Sequence, residues 1–595
     1  MKEDIQARLG QLRDAMRGAG INAAIIPQTD PHQSEYLADH WQVRRWLSGF
    51  TGSAGDLVVT AGDARLWADS RYWLQAAEQL DGTGINVMEE GKPSTPSIAE
   101  YLCSTLTSGA TVGIDGMLFS IEATRQLQSA LASKGISLNV GFAPADALWS
   151  DRPALPADEA FVHDIGFSGE DASSKIERIM ASVKKQNADA VFISDLAEIA
   201  WTLNLRCSDV KCNPVVTSFL YLGPQGSTLF IDRRKINAET EAYLTERHVA
   251  LRPYDGALEF LSTLPDEERV LISTAQSAGA LLPALGRRAV EGSSAVAMLK
   301  AVKNDVQLSG VRRAMERDGV AMVRSLMEIE KALAEGSRLT EIGVADILLR
   351  NRRLGEHFFD LSFDTIAGFG PHGAIVHYSA TPDSDAVLTP DNLLLIDSGA
   401  NYIDGTTDIT RTITLGNPTN AQRHDFTLVM KGHIAIATAI FPEGTRGIQL
   451  DALARINLWK EGLSYLHGTG HGVGHFLTVH EGPQSIRLND THAPLITGMI
   501  TSNEPGLYRE GEYGIRCENL VLTTDAFTTD FGRFFRFETL TLCPFDIRLF
   551  DTAIMTDDEI QWVNEYHATV CERLLPLLDA EAQEWLIAKT QPLTK

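Results

Sequence analysis

Cysteine is scarce and scattered: Cys103, Cys207, Cys212, Cys517, Cys543 and Cys571 are the six in 595 residues. No Cys-x-x-Cys pair occurs, and the nearest spacing, CSDVKC, is a weak metal or redox signature. Reduced, buried thiols in a reducing compartment are the expectation. Long apolar runs are missing too. No stretch could span a bilayer, so no membrane partner is expected. The opening segment MKEDIQARLGQLRDAMRGAG is charged and lacks the apolar core and cleavage site of a secretory signal, which makes the cytoplasm the expected location. Positive charge is in deficit: Lys and Arg total 52 against 78 Asp and Glu, a net charge of −26. Such a chain repels phosphate backbones, which argues against a nucleic-acid partner. Low-complexity tracts are also absent.

What is present is ordinary globular composition, 44% hydrophobic and 22% charged, over a length too great for one hydrophobic core. Up to about residue 155, helix and strand patterns alternate: IQARLGQLRDAMRGAG, then the apolar runs NAAIIP, DLVVT, RLWAD and TVGID. The segment WSDRPALPADEAFVH reads as a linker. A second cycle over 156–298 repeats the order, with SSKIERIMASVKKQNA leading to DAVFISD, TLFID and RVLIST. Two α/β domains of related design are expected. The third region, 299–595, opens with two helical patterns and turns strand-rich from FFDLSFDTIAGFG onward, where most residues able to do chemistry lie.

In NLLLIDSGANYIDGTTDITRTITLG, Asp397 ends an apolar strand and Asp408 begins another, as on the legs of a hairpin. Two close carboxylates repel unless a cation neutralises them, although solvated loop carboxylates fit this segment equally well. Asp404, in a DG turn, reads as a surface residue. Glu504 in ITSNEPGLY and Glu518 in YGIRCENLVLTT stand beside apolar strands, where a buried carboxylate needs a metal, an arginine or a proton. Arg516 is the nearest candidate arginine. The stretch HGTGHGVGHFLTVHEGP holds His467, His471, His475 and His480. The HExxH zinc helix is excluded, because Gln484 stands at its second histidine position. Glycines at 468, 470, 472 and 474 oppose a helix, each by roughly 1 kcal/mol relative to alanine, and suit an extended segment with close backbone approach. The three spaced histidines 467, 471 and 475 then stand too far apart to share one ion. GFGPHG matches G-x-G-x-x-G in letters only, since Pro371 lies inside it and no helix pattern follows. His372 within it and His377 just after it are candidate site residues.

Asp397, Asp408, His471, Glu504 and Glu518 together resemble, in order and context, the five metal ligands of the pita-bread metallopeptidases. HGTGHGVG with HEGP resembles the proline-specific branch. PHQSEYLADHWQVRRWLSGFTGSAG, WADSRYWLQAAEQLD, EIAWTLNLRCSDVKCNPV and FETLTLCPFD resemble the long, three-domain form of the Xaa-Pro aminopeptidase family. The resemblance covers nearly the whole chain. It implies two N-terminal α/β domains (1–155 and 156–298) followed by a pita-bread catalytic domain (299–595). It implies two divalent ions, manganese first and zinc or cobalt as alternatives. Asp408 and Glu518 would bridge them, with Asp397 on one ion and His471 and Glu504 on the other. A water held between two such ions ionises near neutral pH and would attack the first peptide bond of an Xaa-Pro peptide. His377 would stabilise the oxyanion, and Glu504 would move a proton to the leaving nitrogen. His467 and His480 would handle substrate, Arg516 would brace the carboxylates, and the protein would be a homodimer. His475 and Cys517 depart from the family pattern and read as a bystander and a small buried hydrophobe. The alternatives are an Xaa-Pro dipeptidase of prolidase type and a non-catalytic pita-bread binding protein.

Overall fold

In the computed structural model, which describes residues 2–595, the amphipathic N-terminal pattern forms the helix Lys2–Gly18, burying Ile5, Leu9, Leu12 and Met16 along one face. The chain divides into two compact units, one ending at residue 299 and the other comprising 300–595 with the short segment 165–169.

The first unit contains two mixed six-stranded sheets. The first runs Asn86–Glu89, Ala64–Ala68, Asp56–Thr60, Ala23–Ile26, Thr111–Gly113, Ser137–Asn139. The second runs Val249–Arg252, Gly226–Ile231, Ser218–Gly223, Ala190–Ile193, Val270–Ser273, Ala289–Gly292. Reading across either sheet, the pairings are parallel, antiparallel, antiparallel, parallel, parallel. In each, an amphipathic helix precedes the strand paired to both its antiparallel and its parallel neighbour: Lys2–Gly18 before Ala23–Ile26, and Ala172–Lys185 before Ala190–Ile193. The relatedness expected from the repeated helix-then-strand order is thus visible as one topology used twice. The central strands are buried on both faces, which is why they read as continuous apolar runs.

The second unit opens with the 30-residue helix Asp305–Ala334, started by a capping box between Asn304 and Gln307. The helix Glu341–Arg352 follows, capped by Thr340. One sheet orders the strands Ile366–Phe369, Leu393–Ser398 and Ile409–Thr414. A second orders Ile440–Pro442, Gly532–Thr539, Asn519–Thr529 and Ile500–Asn503. Helices Asn420–Ala437 and Asp557–Leu574 supply Phe426, Val429, Val563 and Val570 to a core that also takes in Ile515 and Cys517.

The expected hairpin is present. Asp397 pairs with Thr410 and Ser398 with Ile409, so Asp408 directly precedes the return strand. Asp404 at its tip is not a surface residue. It is 1% exposed and ion-paired to Arg317, with Arg313 at 3.6 Å. Those arginines stand one turn apart on the long helix, which lies so close that a Cβ on Gly310 would strike the Asp404 carbonyl. The turn chemistry was legible in DG; the helix that covers it was not.

Candidate metal centre

The strands above bring four carboxylates and an imidazole into one buried site of the second unit. Asp408 Oδ2 lies 3.5 Å and Glu504 Oε1 lies 3.4 Å from His471 Nε2. Donor atoms of Asp408, His471 and Glu518 lie within 4.8 Å of one another, close enough to hold one cation. Asp397 is held from the other side by Arg516, whose Nη2 donates to Asp397 Oδ2 at 2.6 Å. The second oxygen, Asp397 Oδ1, is buried and accepts no hydrogen bond among the described residues.

Each donor is fixed by neighbours. His471 Nδ1–H donates to the Gly472 carbonyl at 2.9 Å, which sets the tautomer and turns the Nε2 lone pair toward the carboxylates. Ser502 Oγ accepts from the His471 backbone N–H at 2.9 Å and donates to Glu504 Oε1 at 3.0 Å. Glu518 Oε2 accepts from Thr410 Oγ1 at 2.8 Å. The buried Arg411 guanidinium ties the backbone here, donating to the carbonyls of Thr410, Glu518 and Cys543.

The electrostatics call for positive charge. Burial, then the neighbouring Asp397 and Glu504, push Asp408 well above the ordinary carboxylate range. Burial, then Asp408 and Glu504, do the same to Glu518. Burial lifts Glu504 to about 7, with Asp397 adding to the rise and Arg516 opposing it. Of the neighbouring guanidiniums, Arg516 pairs with an Asp397 oxygen while Arg411 is spent on backbone carbonyls, so the carboxyls are not matched by arginine charge. Mixed carboxylate and imidazole donors with one orphaned carboxylate oxygen fit divalent cations of the manganese or zinc type.

The histidine-rich stretch behaves as its glycines require, over a shorter span than expected. Only Gly470–His471 forms a strand, paired with Ser485–Ile486, and Gly472 adds a single bridge to Thr501; the rest of the segment is irregular. A Cβ on Gly470 would collide with the Ser502 carbonyl, and one on Gly472 with the Glu481 carbonyl. The four rings part company. His471 faces the carboxylates, and the His480 ring sits 4.4 Å from it edge-on. His467 donates through Nδ1–H to the Gly468 carbonyl at 2.7 Å, and its Nε2 accepts from the Tyr508 hydroxyl at 2.8 Å. His475 is 2% exposed, which removes the solvent-facing option and leaves a structural one. His377 lies in a turn whose preceding carbonyl, Val376, accepts from Arg516 Nη2 at 3.2 Å. Cys517 is buried in the apolar core, and burial pushes its thiol up to about 12.

Two features escaped the sequence reading. Tyr508 accepts from Arg516 Nη1 at 2.7 Å and so completes a chain from Asp397 through Arg516 and Tyr508 to His467. Its only signal was a place four residues after Glu504. Glu481, after His480, is ion-paired to two buried lysines, at 2.8 Å from Lys300 and 2.7 Å from Lys303. Burial acts to raise this carboxyl, but the two ammoniums outweigh it and hold it below the ordinary range.

Comparison with known proteins places this arrangement. Residues 309–525 match metallopeptidase family M24, and 533–593 match the C-terminal region of peptidase M24. Residues 8–146 and 151–307 each match a creatinase/prolidase N-terminal domain. The class is therefore an M24 metallopeptidase, with the pita-bread fold behind two creatinase-type domains. Aminopeptidase P2 of Arabidopsis thaliana is 40% identical over 97% of this chain and 87% of its own length. A probable Xaa-Pro aminopeptidase P of Coprinopsis cinerea is 38% identical, over 99% of both chains. The crystal structure of X-prolyl aminopeptidase from Caenorhabditis elegans, described as a cytosolic enzyme with a di-nuclear active site, superposes with a TM-score of 0.96 at 34% identity over all of both chains. An Xaa-Pro dipeptidase from Bacillus anthracis shares the fold at 21% identity and a TM-score of 0.50, matching 63% of this chain with 99% of its own. The chain belongs to the Xaa-Pro aminopeptidase family and is a metal-dependent exopeptidase, a hydrolase.

Proposed function

We propose that this protein releases the N-terminal residue from peptides with proline in the second position, using two divalent cations held by Asp397, Asp408, His471, Glu504 and Glu518. The observation that carries this reading is the convergence of those five side chains, with three carboxyls raised by burial and mutual repulsion. Those side chains would be neutralised by the cations they hold, and the cations would supply an ionised water as nucleophile near neutral pH. Asp408 and Glu518, both buried and pushed well above the ordinary carboxylate range, would hold the cations together with Asp397, His471 and Glu504. Arg516 braces Asp397. Glu504, raised to about 7, is suited to accept a proton and pass it to the leaving proline nitrogen. His377 stabilises the oxyanion, while His467 and His480 position the proline and the chain after it. Manganese is the proposed metal, with zinc or cobalt the alternatives. The proposed domains are 1–155, 156–298 and 299–595, and the proposed state is a cytoplasmic homodimer.

The test is manganese-dependent release of the N-terminal residue from Xaa-Pro-Yaa peptides, with Xaa-Ala-Yaa as control. Arg-Pro-Pro should be cleaved in preference to the dipeptide Gly-Pro. Preference for the dipeptide would return the assignment to prolidase, and a purified protein without metal that manganese does not activate would return it to a binding protein.

A further inference from the structure

The segment between the strands Ile366–Phe369 and Leu393–Ser398 carries His377, and a single carboxylate outside the metal centre gathers it. Glu341 is the first residue of the helix Glu341–Arg352 and is wholly buried. Among the described residues no lysine or arginine is paired with it. Its Oε1 accepts from the Phe369 backbone N–H at 2.8 Å and from His372 Nδ1 at 2.8 Å. Its Oε2 accepts from the Tyr378 hydroxyl at 2.8 Å and from the Ala386 backbone N–H at 3.0 Å. Those donors mark the start, middle and end of the segment. Tyr378 is the residue next to His377, and its ring packs with Ile366 and Leu395 and stacks on His372 at 4.5 Å. The far end is zipped to the same helix start, with Glu341 N–H on the Ala386 carbonyl at 3.1 Å and Ile342 N–H on Asp385 Oδ1 at 2.9 Å.

A buried carboxylate is expensive unless every lone pair is used, and here all its hydrogen bonds go to one segment. A helix N-terminus favours the charge but does not require four donors from an 18-residue stretch. We infer that Glu341 is the positioning residue for His377: it fixes Tyr378 from behind while Arg516, on the Val376 carbonyl, fixes the other side of the turn. His372, singled out in the sequence within the false glycine motif, belongs to this support and not to the metal centre. The inference rests on the oxyanion role proposed for His377.

The test is a double-mutant cycle on the metal-loaded enzyme with an Xaa-Pro-Yaa peptide, comparing wild type, Glu341→Gln, His377→Ala and the pair. Glu341→Gln should lower kcat by about 10- to 100-fold, the effect of a catalytic group displaced by about 1 Å, with KM and metal content near wild type. In the His377→Ala background the same substitution should change kcat by less than about twofold, within the scatter of independent effects. An equal factor in both backgrounds, or a Glu341→Gln protein with wild-type kcat, overturns the inference while leaving the role of His377 intact. Wild-type turnover by His377→Ala overturns that role and the inference with it. Should Glu341→Gln fail to fold, Tyr378→Phe removes one hydroxyl and keeps the ring. It must show the same dependence on His377, and full activity or an additive loss counts against the inference.

Discussion

Asp408 is caught between burial and two other carboxylates, and each of the three pressures is relieved by a cation. Asp408→Ala is therefore expected to lose bound metal and turnover together while keeping its thermal midpoint in the absence of metal, measured by elemental analysis, peptide assay and calorimetry. Normal metal content and turnover would refute its role as a metal ligand. Tyr508 acts at one remove. Tyr508→Phe deletes the hydroxyl that joins Arg516 to His467, and should lower kcat by about 10-fold with full metal content, the scale seen when an outer partner of a metal site is removed. A loss of metal instead would mean that Tyr508 supports Asp397 and not substrate handling. Local context alone left Asp397, Asp408, His471, Glu504 and Glu518 ambiguous; they became legible as a candidate ligand set only through their shared order, which resembles that of a known family. Tyr508, Glu341 and Glu481 did not. A phenol or a carboxylate acquires meaning from partners 41, 31 or 178 positions away, and no local pattern records those.

Elements matter here through how closely backbones approach. The strand Gly470–His471 lies against Ser502, whose hydroxyl holds both His471 and Glu504. A methyl group at 470 would strike the Ser502 carbonyl. Gly470→Ala is expected to weaken metal binding by about 10-fold or more, because it separates two donors that one serine aligns. A metal titration followed by the thermal midpoint checks this, and unchanged affinity would show that the strand can yield. Apolar periodicity located the helices and the buried strands well. The alternating glycines made HGTGHGVGH read as extended throughout but could not show that pairing is confined to Gly470, His471 and Gly472, since a glycine at alternate positions looks the same in a strand and in a tightly packed bend.

Across the whole molecule, acid stability should follow the buried histidines. His567 on the helix Asp557–Leu574 accepts from the Phe545 backbone N–H at 3.1 Å, a bond available only to the neutral ring. Burial, and then Arg411, lower its pKa to about 4. The unfolded chain takes up the proton first, near pH 6.5, so the stabilisation is complete above that value and is lost as pH falls toward 4, on the order of 3 kcal/mol in all. His567→Gln keeps an acceptor and does not titrate. Its unfolding midpoint should decline less steeply than wild type over that window, as measured by denaturant titration. Equal slopes would remove His567 from the account. At this scale the repeated α/β grammar was legible from the order of helix and strand, while the identity of the two sheet topologies was not, because pairing sense leaves no mark on residue type.

The ion cluster of Lys300, Lys303 and Glu481 also has a consequence in time. A growing chain makes both lysines 178 or more residues before the carboxylate that will pair with them. Until then their ammoniums remain hydrated, because burying them unpaired is unfavourable by several kcal/mol each. The start of the long helix therefore cannot settle against the histidine-bearing segment when it is first synthesised. Strands carrying Asp397 and Asp408 leave the ribosome before the ammoniums can be covered. Closure over that length adds only slowly to the entropy of ordering, but it orders events strictly. Half of the candidate metal centre waits, open to water, for the half that carries His471, Glu504 and Glu518.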